Sequence, residues 1–316
     1  MSLRVENLRI YYRTLRGYVK AVDGVSFEMG DEEVLGVAGE SGCGKSTLGN
    51  SLILLKPPMT YMEGRVFLDG EEVPIWDNEK MRRFRYRRIS IIPQYAMNAL
   101  NPTKKLKVLM DDLLREHGSD FKSHTAEILR RLKMVNLPES VLNMYPIELS
   151  GGMKQRMVMV ISTLMNPSLL IADEITSALD VSTQKAVIEM LLEFKSRGFV
   201  RKIFFITHDI SVLYQIASSI LVMYAGKLVE KASTDEILEK PFHPYTEMLI
   251  SSLPKIGIKY GERKLKGIPG QPPPLLKPPE GCRFKDRCPY RHSKCDEEPP
   301  IVEISDDHVV SCWKYA

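Results

Sequence analysis

The chain has 316 residues, 44% of them hydrophobic and 27% charged, a globular composition that allows a large core and excludes a disordered or collagen-like polypeptide. Its 44 Lys and Arg stand against 40 Asp and Glu, a net charge of +4 too even to mark a dedicated nucleic-acid binder. The basic run from Met81 to Arg88 is read as a solvated helix face, and no nucleic-acid partner is expected. No apolar stretch reaches the roughly 18 residues that a bilayer-crossing helix needs. The N-terminus lacks the basic and apolar regions of a secretory signal, so the chain is expected in the cytoplasm with any membrane role peripheral.

From the N-terminus, residues 2–12 alternate apolar and polar positions, as a half-buried antiparallel edge strand does. Glu33 to Ala38 is a short apolar run, which suits a central parallel strand covered on both faces. It leads into Gly39-Glu40-Ser41-Gly42-Cys43-Gly44-Lys45-Ser46-Thr47, a phosphate loop by its pattern and by its place between a strand and a helical segment. Such a loop wraps phosphates closely enough for backbone amides to point at them, and the helix start adds partial positive charge. Lys45 is expected to neutralise the β and γ phosphates, Ser46 to ligate Mg²⁺ and Thr47 to assist at the α phosphate. Cys43 is expected to have no redox duty.

Leu106 to Leu149 reads as a helical insertion without strands. The apolar run Leu169-Leu-Ile-Ala172 then sets Asp173 and Glu174 at a strand's carboxyl end, where open α/β sheets build ligand sites. Alone, this pair would be a cap or a solvated turn. In the company of a phosphate loop, Asp173 is expected to hold Mg²⁺ through water and Glu174 to act as general base on an attacking water. Gln184 to Phe194 carries helical periodicity in Val187, Ile188, Leu191 and Leu192. The strand Lys202 to Thr207 ends at His208, which fits a γ-phosphate sensor, although a lone histidine is more often packed or merely exposed. Strands alternating with helices predict an α/β fold.

Near Asp235 the character changes: proline is dense from Pro241 to Pro300, and Cys282, Cys288, Cys295 and Cys312 are separated by five, six and sixteen residues. This tail has little apolar material for a core. Two disulfides are disfavoured in a reducing compartment, so four thiolates around a metal are preferred. Zinc usually takes tighter pairs, whereas these wide intervals, with Pro289 directly after Cys288, suit an iron–sulfur cluster. Zinc and metal-free cysteines remain alternatives, and His292 is not expected to be a ligand.

The phosphate loop by itself leaves kinases, GTPases, helicases and transport ATPases open. Leu149-Ser-Gly-Gly-Met-Lys-Gln-Arg156 resembles the signature of ATP-binding-cassette proteins, and that family's other marks occur in order: Gln94 in Ile-Ile-Pro-Gln, Ser177-Ala-Leu-Asp180, and Thr207-His-Asp209. The resemblance covers residues 1 to about 230. It implies an ABC-type nucleotide-binding domain over residues 1–235, with a mixed sheet bearing the phosphate loop, an antiparallel β portion and a helical subdomain at about 95–160. It implies ATP with Mg²⁺ as cofactor, and a catalytic set of Glu174, His208 and Lys45. Tyr12 stands where the family places an adenine-stacking aromatic, with Tyr11 as competitor. Gln94 joins Ser46 and Asp173 as a Mg²⁺ ligand, and Asp180 belongs to the loop that follows the catalytic acid.

Family members bind ATP head to tail between two subunits, so Ser150, Gly151 and Gly152 are expected to act on the γ phosphate held by a partner. The chain carries one cassette; the second must come from a copy of itself or a related subunit, and the resemblance implies a paralogue and hence a heterodimer. The helical insertion, with Gln94 and Tyr95 to Thr103 at its entrance, resembles the surface that receives a permease's coupling helix.

Three further features resemble the oligopeptide and dipeptide importer branch: Met153 in Gly-Gly-Met-Lys-Gln-Arg, where most cassettes have Gln; His243-Pro-Tyr-Thr246 followed by Leu253-Pro254; and Ile268-Pro-Gly-Gln-Pro-Pro273 ahead of the cysteines. Ile175 departs from the branch's usual proline. The implied function is ATP hydrolysis coupled to uptake of di- or oligopeptides, with oligosaccharides as an alternative cargo and a soluble cassette ATPase as a remoter one. The implied partners are two transmembrane permease subunits and an extracytoplasmic solute-binding protein, at the cytoplasmic face of the membrane. Residues 236–316 match the branch's small, irregular C-terminal extension, and members with such a tail support a [4Fe-4S] cluster on Cys282, Cys288, Cys295 and Cys312.

Overall fold

The computed structural model describes residues 2–177, 179–252 and 267–316. Ala178, in the segment after the acid pair, and Leu253-Pro254 of the tail motif lie outside the described residues. The chain divides into two compact units, Met1–Asn78 with Phe205–Ala316, and Glu79–Phe204.

The first unit opens with β1 (Leu3–Thr14) and β2 (Gly17–Met29), followed by β3 (Val34–Ala38), α1 (Lys45–Ser51), β4 (Met59–Leu68) and β5 (Glu71–Glu72). A four-stranded antiparallel sheet has the order β2-β1-β4-β5. Alternation in β1 buries Leu3 and Val5, then Leu8 and Ile10; the phase slips where the register shifts between Val5 and Leu8 and Asn7 takes a φ of 45°. The strand β3 is buried at every position, as its continuous apolar run requires.

The second unit contains α2 (Asn78–Met81), which begins at its edge, then β6 (Ile89–Ile92), α3 (Leu106–Glu116), α4 (Phe121–Met134), α5 (Gly151–Thr163), β7 (Leu169–Asp173), α6 (Val181–Ser196) and the start of β8 (Lys202–Ile206), whose last two residues belong to the first unit. Strands β6 and β7 pair in parallel. Residues 106–149 hold α3, α4 and two short 3₁₀ turns with no strand, and α6 buries Val187, Ile188, Leu191 and Phe194. The basic run does not form a helix face. After four residues of α2 the chain turns, Tyr86 adopts a φ of 62°, and Met81 and Phe84 are buried while Arg82 pairs with Glu116.

The chain returns to the first unit through α7 (Ile210–Ile216), β9 (Ser219–Tyr224), β10 (Lys227–Ser233), α8 (Thr234–Glu239) and α9 (Pro244–Ser251), and ends in β11 (Ile301–Ser305) and β12 (His308–Ser311). Strand β3 pairs in parallel with β9, and β10, β12 and β11 continue outward as antiparallel neighbours. The described part of the tail is therefore more regular than its proline content suggests. Its hairpin extends a sheet, and Phe284 packs against Tyr224 and Tyr245 at ring separations of 5.1 and 5.4 Å. The buried carboxylate of Glu230 accepts hydrogen bonds from the backbone of Phe242 (2.7 Å) and His243 (3.0 Å) and lies 2.9 Å from His308 Nε2. Aromatic rings and this buried polar knot supply the core that aliphatic residues do not. Among the described residues no helix is long and apolar enough to cross a membrane.

Candidate functional site

In the first unit the phosphate loop links β3 to α1. Two of its glycines are needed for reasons of space and backbone: Gly39 has a φ of 144° and a Cβ there would lie 2.2 Å from Met223 O, while Gly44 has a φ of 108° and a Cβ would lie 2.0 Å from Ala21 O. The Lys45 ammonium is buried in the loop and donates to the carbonyls of Gly39 (2.8 Å) and Glu40 (3.0 Å). Thr47 Oγ1 lies 3.0 Å from the Tyr12 hydroxyl, which brings the aromatic position of β1 to the first turn of α1. Cys43 is buried, and burial pushes its thiol up.

Tyr11 takes a different course from Tyr12. It is buried and donates to Asp23 at 2.6 Å, and burial with that acceptor pushes its hydroxyl up to about 12. Burial raises Asp23, but the Tyr11 hydrogen bond and the Arg283 charge outweigh it and hold the carboxyl below its ordinary value. Tyr11 thus belongs to a packed polar cluster, and Tyr12 is the more accessible ring. His208 is exposed just after β8, ahead of Asp209, whose side chain caps α7 by accepting from Ser211 N at 2.9 Å.

In the second unit, Asp173 is the last, buried residue of β7, and Glu174 turns the chain with a φ of 48°. A non-glycine residue in that region is strained, a feature that clusters where function dictates the backbone. The Glu174 carboxylate accepts from Gln94 Nε2 at 2.9 Å and Ser177 Oγ at 3.2 Å. Two candidate residues 80 positions apart in sequence are thereby joined directly. Ile175, where proline was expected, is buried and its carbonyl accepts from Gln155 Nε2 at 2.7 Å, which ties the acid turn to α5.

Ser150 caps α5, accepting from Met153 N at 3.3 Å. A Cβ on Gly151 would lie 2.7 Å from Met97 Sδ, whereas one on Gly152 would meet open space. Asp180 caps α6 through Thr183 N at 3.0 Å, and hydrogen bonds from Ser182 and Thr183 hold its carboxyl well below the usual range.

The four tail cysteines form no disulfides among the described residues. Cys282 N donates to Cys295 O at 3.0 Å, and burial pushes the Cys282 thiol up to about 11 and raises Cys288 and Cys312. Among the described residues no group of three or more His, Cys, Asp or Glu side chains could hold a metal ion.

Reading by sequence missed Arg287. Its guanidinium forms a bidentate pair with Glu40 in the phosphate loop, Nη1 to Oε2 at 2.7 Å and Nη2 to Oε1 at 2.9 Å. No local pattern signals a partner 247 residues away.

The family described as ABC transporter matches residues 22–177, and the oligopeptide/dipeptide transporter C-terminal region matches residues 229–295. The dipeptide transport ATP-binding protein DppD of Caldanaerobacter subterraneus is 41% identical over 99% of this chain and 97% of its own length. The protein of that name from Bacillus subtilis is 39% identical over 98% and 94%, and the oligopeptide transport ATP-binding protein OppD of Escherichia coli is 36% identical over 99% and 93%. Among solved structures, the ATP-binding cassette MJ0796, in a dimeric post-hydrolysis state bound to ADP and phosphate, covers 73% of this chain with a TM-score of 0.64 and 25% identity.

Proposed function

The chain belongs to the ATP-binding proteins of the dipeptide and oligopeptide ABC transporters, and from that premise we propose that it hydrolyses ATP to drive peptide uptake through a membrane permease. The observation that carries the mechanism is Glu174 at the end of β7, its carboxylate oriented by Gln94 and Ser177. A carboxylate held by two donors presents its remaining lone pairs in a fixed direction, as a general base acting on water must. Lys45 exchanges its loop carbonyls for the β and γ phosphates, Ser46 and Asp173 hold Mg²⁺ with the Gln94 amide oxygen, and His208 reports on the γ phosphate. Tyr12 provides the adenine platform. Bound Mg²⁺ withdraws the charge that develops on the phosphoryl oxygens.

Gly152 supports a second subunit. Among the described residues a Cβ there would meet open space, and a bare backbone at the start of α5 suits an approach by a phosphate held on the partner's loop. We assign the pair as a heterodimer with a related cassette, seated on two permease subunits at the cytoplasmic face and served by an extracytoplasmic solute-binding protein. Residues 1–235 form the cassette, with a helical subdomain at about 95–160, and 236–316 the extension.

For the tail we propose a [4Fe-4S] cluster on Cys282, Cys288, Cys295 and Cys312. What supports the reading is the wide spacing of the four cysteines with Pro289 directly after Cys288; among the described residues no group of three or more His, Cys, Asp or Glu side chains could hold a metal ion. When bound, the cluster supplies a cross-link that staples the tail. Brown protein absorbing near about 400 nm, with iron and sulfide, is expected after anaerobic purification; colourless protein with stoichiometric zinc would falsify the assignment.

The mechanism is tested by Glu174→Gln in the assembled transporter. ATP binding should persist while turnover falls by about 10²- to 10⁴-fold. Turnover at the wild-type rate would remove Glu174 from the base role. Peptide-stimulated ATPase in vesicles with the solute-binding protein tests the cargo.

A further inference from the structure

The phosphate loop carries a carboxylate, Glu40, next to Gly39 in a segment built to receive a polyanion. Left ionised and unpaired, it would repel the triphosphate. The structure gives it two restraints, both from the C-terminal part of the chain. Arg287 pairs with both carboxylate oxygens, and Tyr245, fully buried on α9, accepts a hydrogen bond from Glu40 N at 2.8 Å.

Arg287 is itself held on every side. Its Nε donates to Pro269 O at 2.8 Å, Nη2 donates to Ile268 O at 3.3 Å, and Nη1 donates to the Tyr224 hydroxyl at 3.2 Å, so all five N–H groups are used. Its side chain is 6% exposed. Surface ion pairs between mobile side chains contribute little, but a planar fork fixed by three further acceptors delivers its charge at one place. The two carbonyls belong to the Ile268-Pro-Gly segment, which has no part in the cassette motifs.

We propose that Arg287 is a positioning residue of the nucleotide site: the C-terminal extension neutralises Glu40 and fixes its side chain, so that the phosphate loop meets the triphosphate without an uncompensated negative charge. The extension is then a component of ATP binding and not an appendage to it. This rests on the phosphate loop being the ATP site, a reading tested separately by nucleotide binding to the wild-type protein.

The experiment measures MgATP dissociation constants by calorimetry and steady-state ATPase kinetics on the full transporter. Arg287→Gln should raise Kd and KM together by about 10-fold, as the loss of roughly one charge-assisted contact does, with kcat at saturating ATP within about twofold. Arg287→Lys, which keeps the charge and loses the fork, should fall between. The double variant Arg287→Gln/Glu40→Gln should recover most of the lost affinity, because no carboxylate is left to neutralise. Arg291→Gln is the control: this arginine of the same extension pairs only with the exposed Asp286 and Asp296 among the described ion pairs, and its loss should change neither constant. Thermal melting establishes that each variant is folded. Unchanged affinity in Arg287→Gln, or a double variant as weak as that single one, overturns the proposal.

Discussion

Gln94 and Glu174 meet through one hydrogen bond of 2.9 Å, and the chemistry of the amide makes that contact informative. The NH₂ end of Gln94 serves the carboxylate, which leaves the carbonyl oxygen free in chemical capacity to ligate a cation. Gln94→Ala should therefore have two separable effects. The Mg²⁺ concentration for half-maximal ATPase should rise by about 10-fold, as one lost ligand contact predicts, and saturating Mg²⁺ should restore only part of the turnover because the base is less well oriented. Full recovery at high Mg²⁺ would show that the contact with Glu174 is incidental.

At the level of helices, the two ends that matter are the starts of α5 and α9. On α5, a Cβ added at Gly152 meets open space among the described residues, so Gly152→Ala should retain folding and ATP binding; turnover of the assembled transporter should drop by at least about 10-fold if a partner's phosphate approaches there. Wild-type turnover in that variant would argue against the face-to-face role of the signature. On α9, His243 caps the helix with Nδ1, which accepts from Tyr245 N at 3.0 Å. Burial lowers its pKa from 6.5 to about 3, so between those values the unfolded chain binds a proton that the native chain does not. Stability is thus full above about pH 6.5 and declines as pH falls toward 3, by at most about 1.4 kcal/mol per pH unit for one proton. His243→Asn retains a capping acceptor and removes the titration, so urea unfolding between pH 7 and 5 should show a shallower dependence than wild type.

On the scale of the molecule, the C-terminal part of the first unit is fastened to its N-terminal strands by buried polar contacts as well as rings. Arg283 pairs with Asp23 on β2 and donates to Ala225 O, and Tyr11 donates to the same carboxylate. Removing one member of a buried pair strands the other, at a cost of about 3–5 kcal/mol. Arg283→Ala should destabilise by that order in urea melts while Lys285→Ala, whose exposed partner is Asp296, should cost less than about 1 kcal/mol. A second, earlier melting transition confined to the tail in wild type would instead make the extension an independent folding body.

The fold class, the central strands and the chemistry-bearing motifs were legible because each is local: a five-residue apolar run, a nine-residue loop with glycines at fixed offsets, an acid pair at a strand end. Periodicity located α6 for the same reason. The tail was harder to read, since its core consists of Phe284, Tyr224, Tyr245 and the Glu230–His308 pair, contributed by segments distant in sequence. The basic run misled because Tyr86 at positive φ breaks a helix that composition alone allows. What sequence determined by itself was the place of the phosphate loop between a strand and a helix and of the acid pair at a strand end, since covalent spacing sets what a loop or strand end can present. Only the tertiary structure decided that Tyr11 is packed and Tyr12 accessible, that Gln94 donates to Glu174, and that Arg287 pairs with Glu40. Such pairings depend on long-range chain folding, which brings together charges that no local pattern connects.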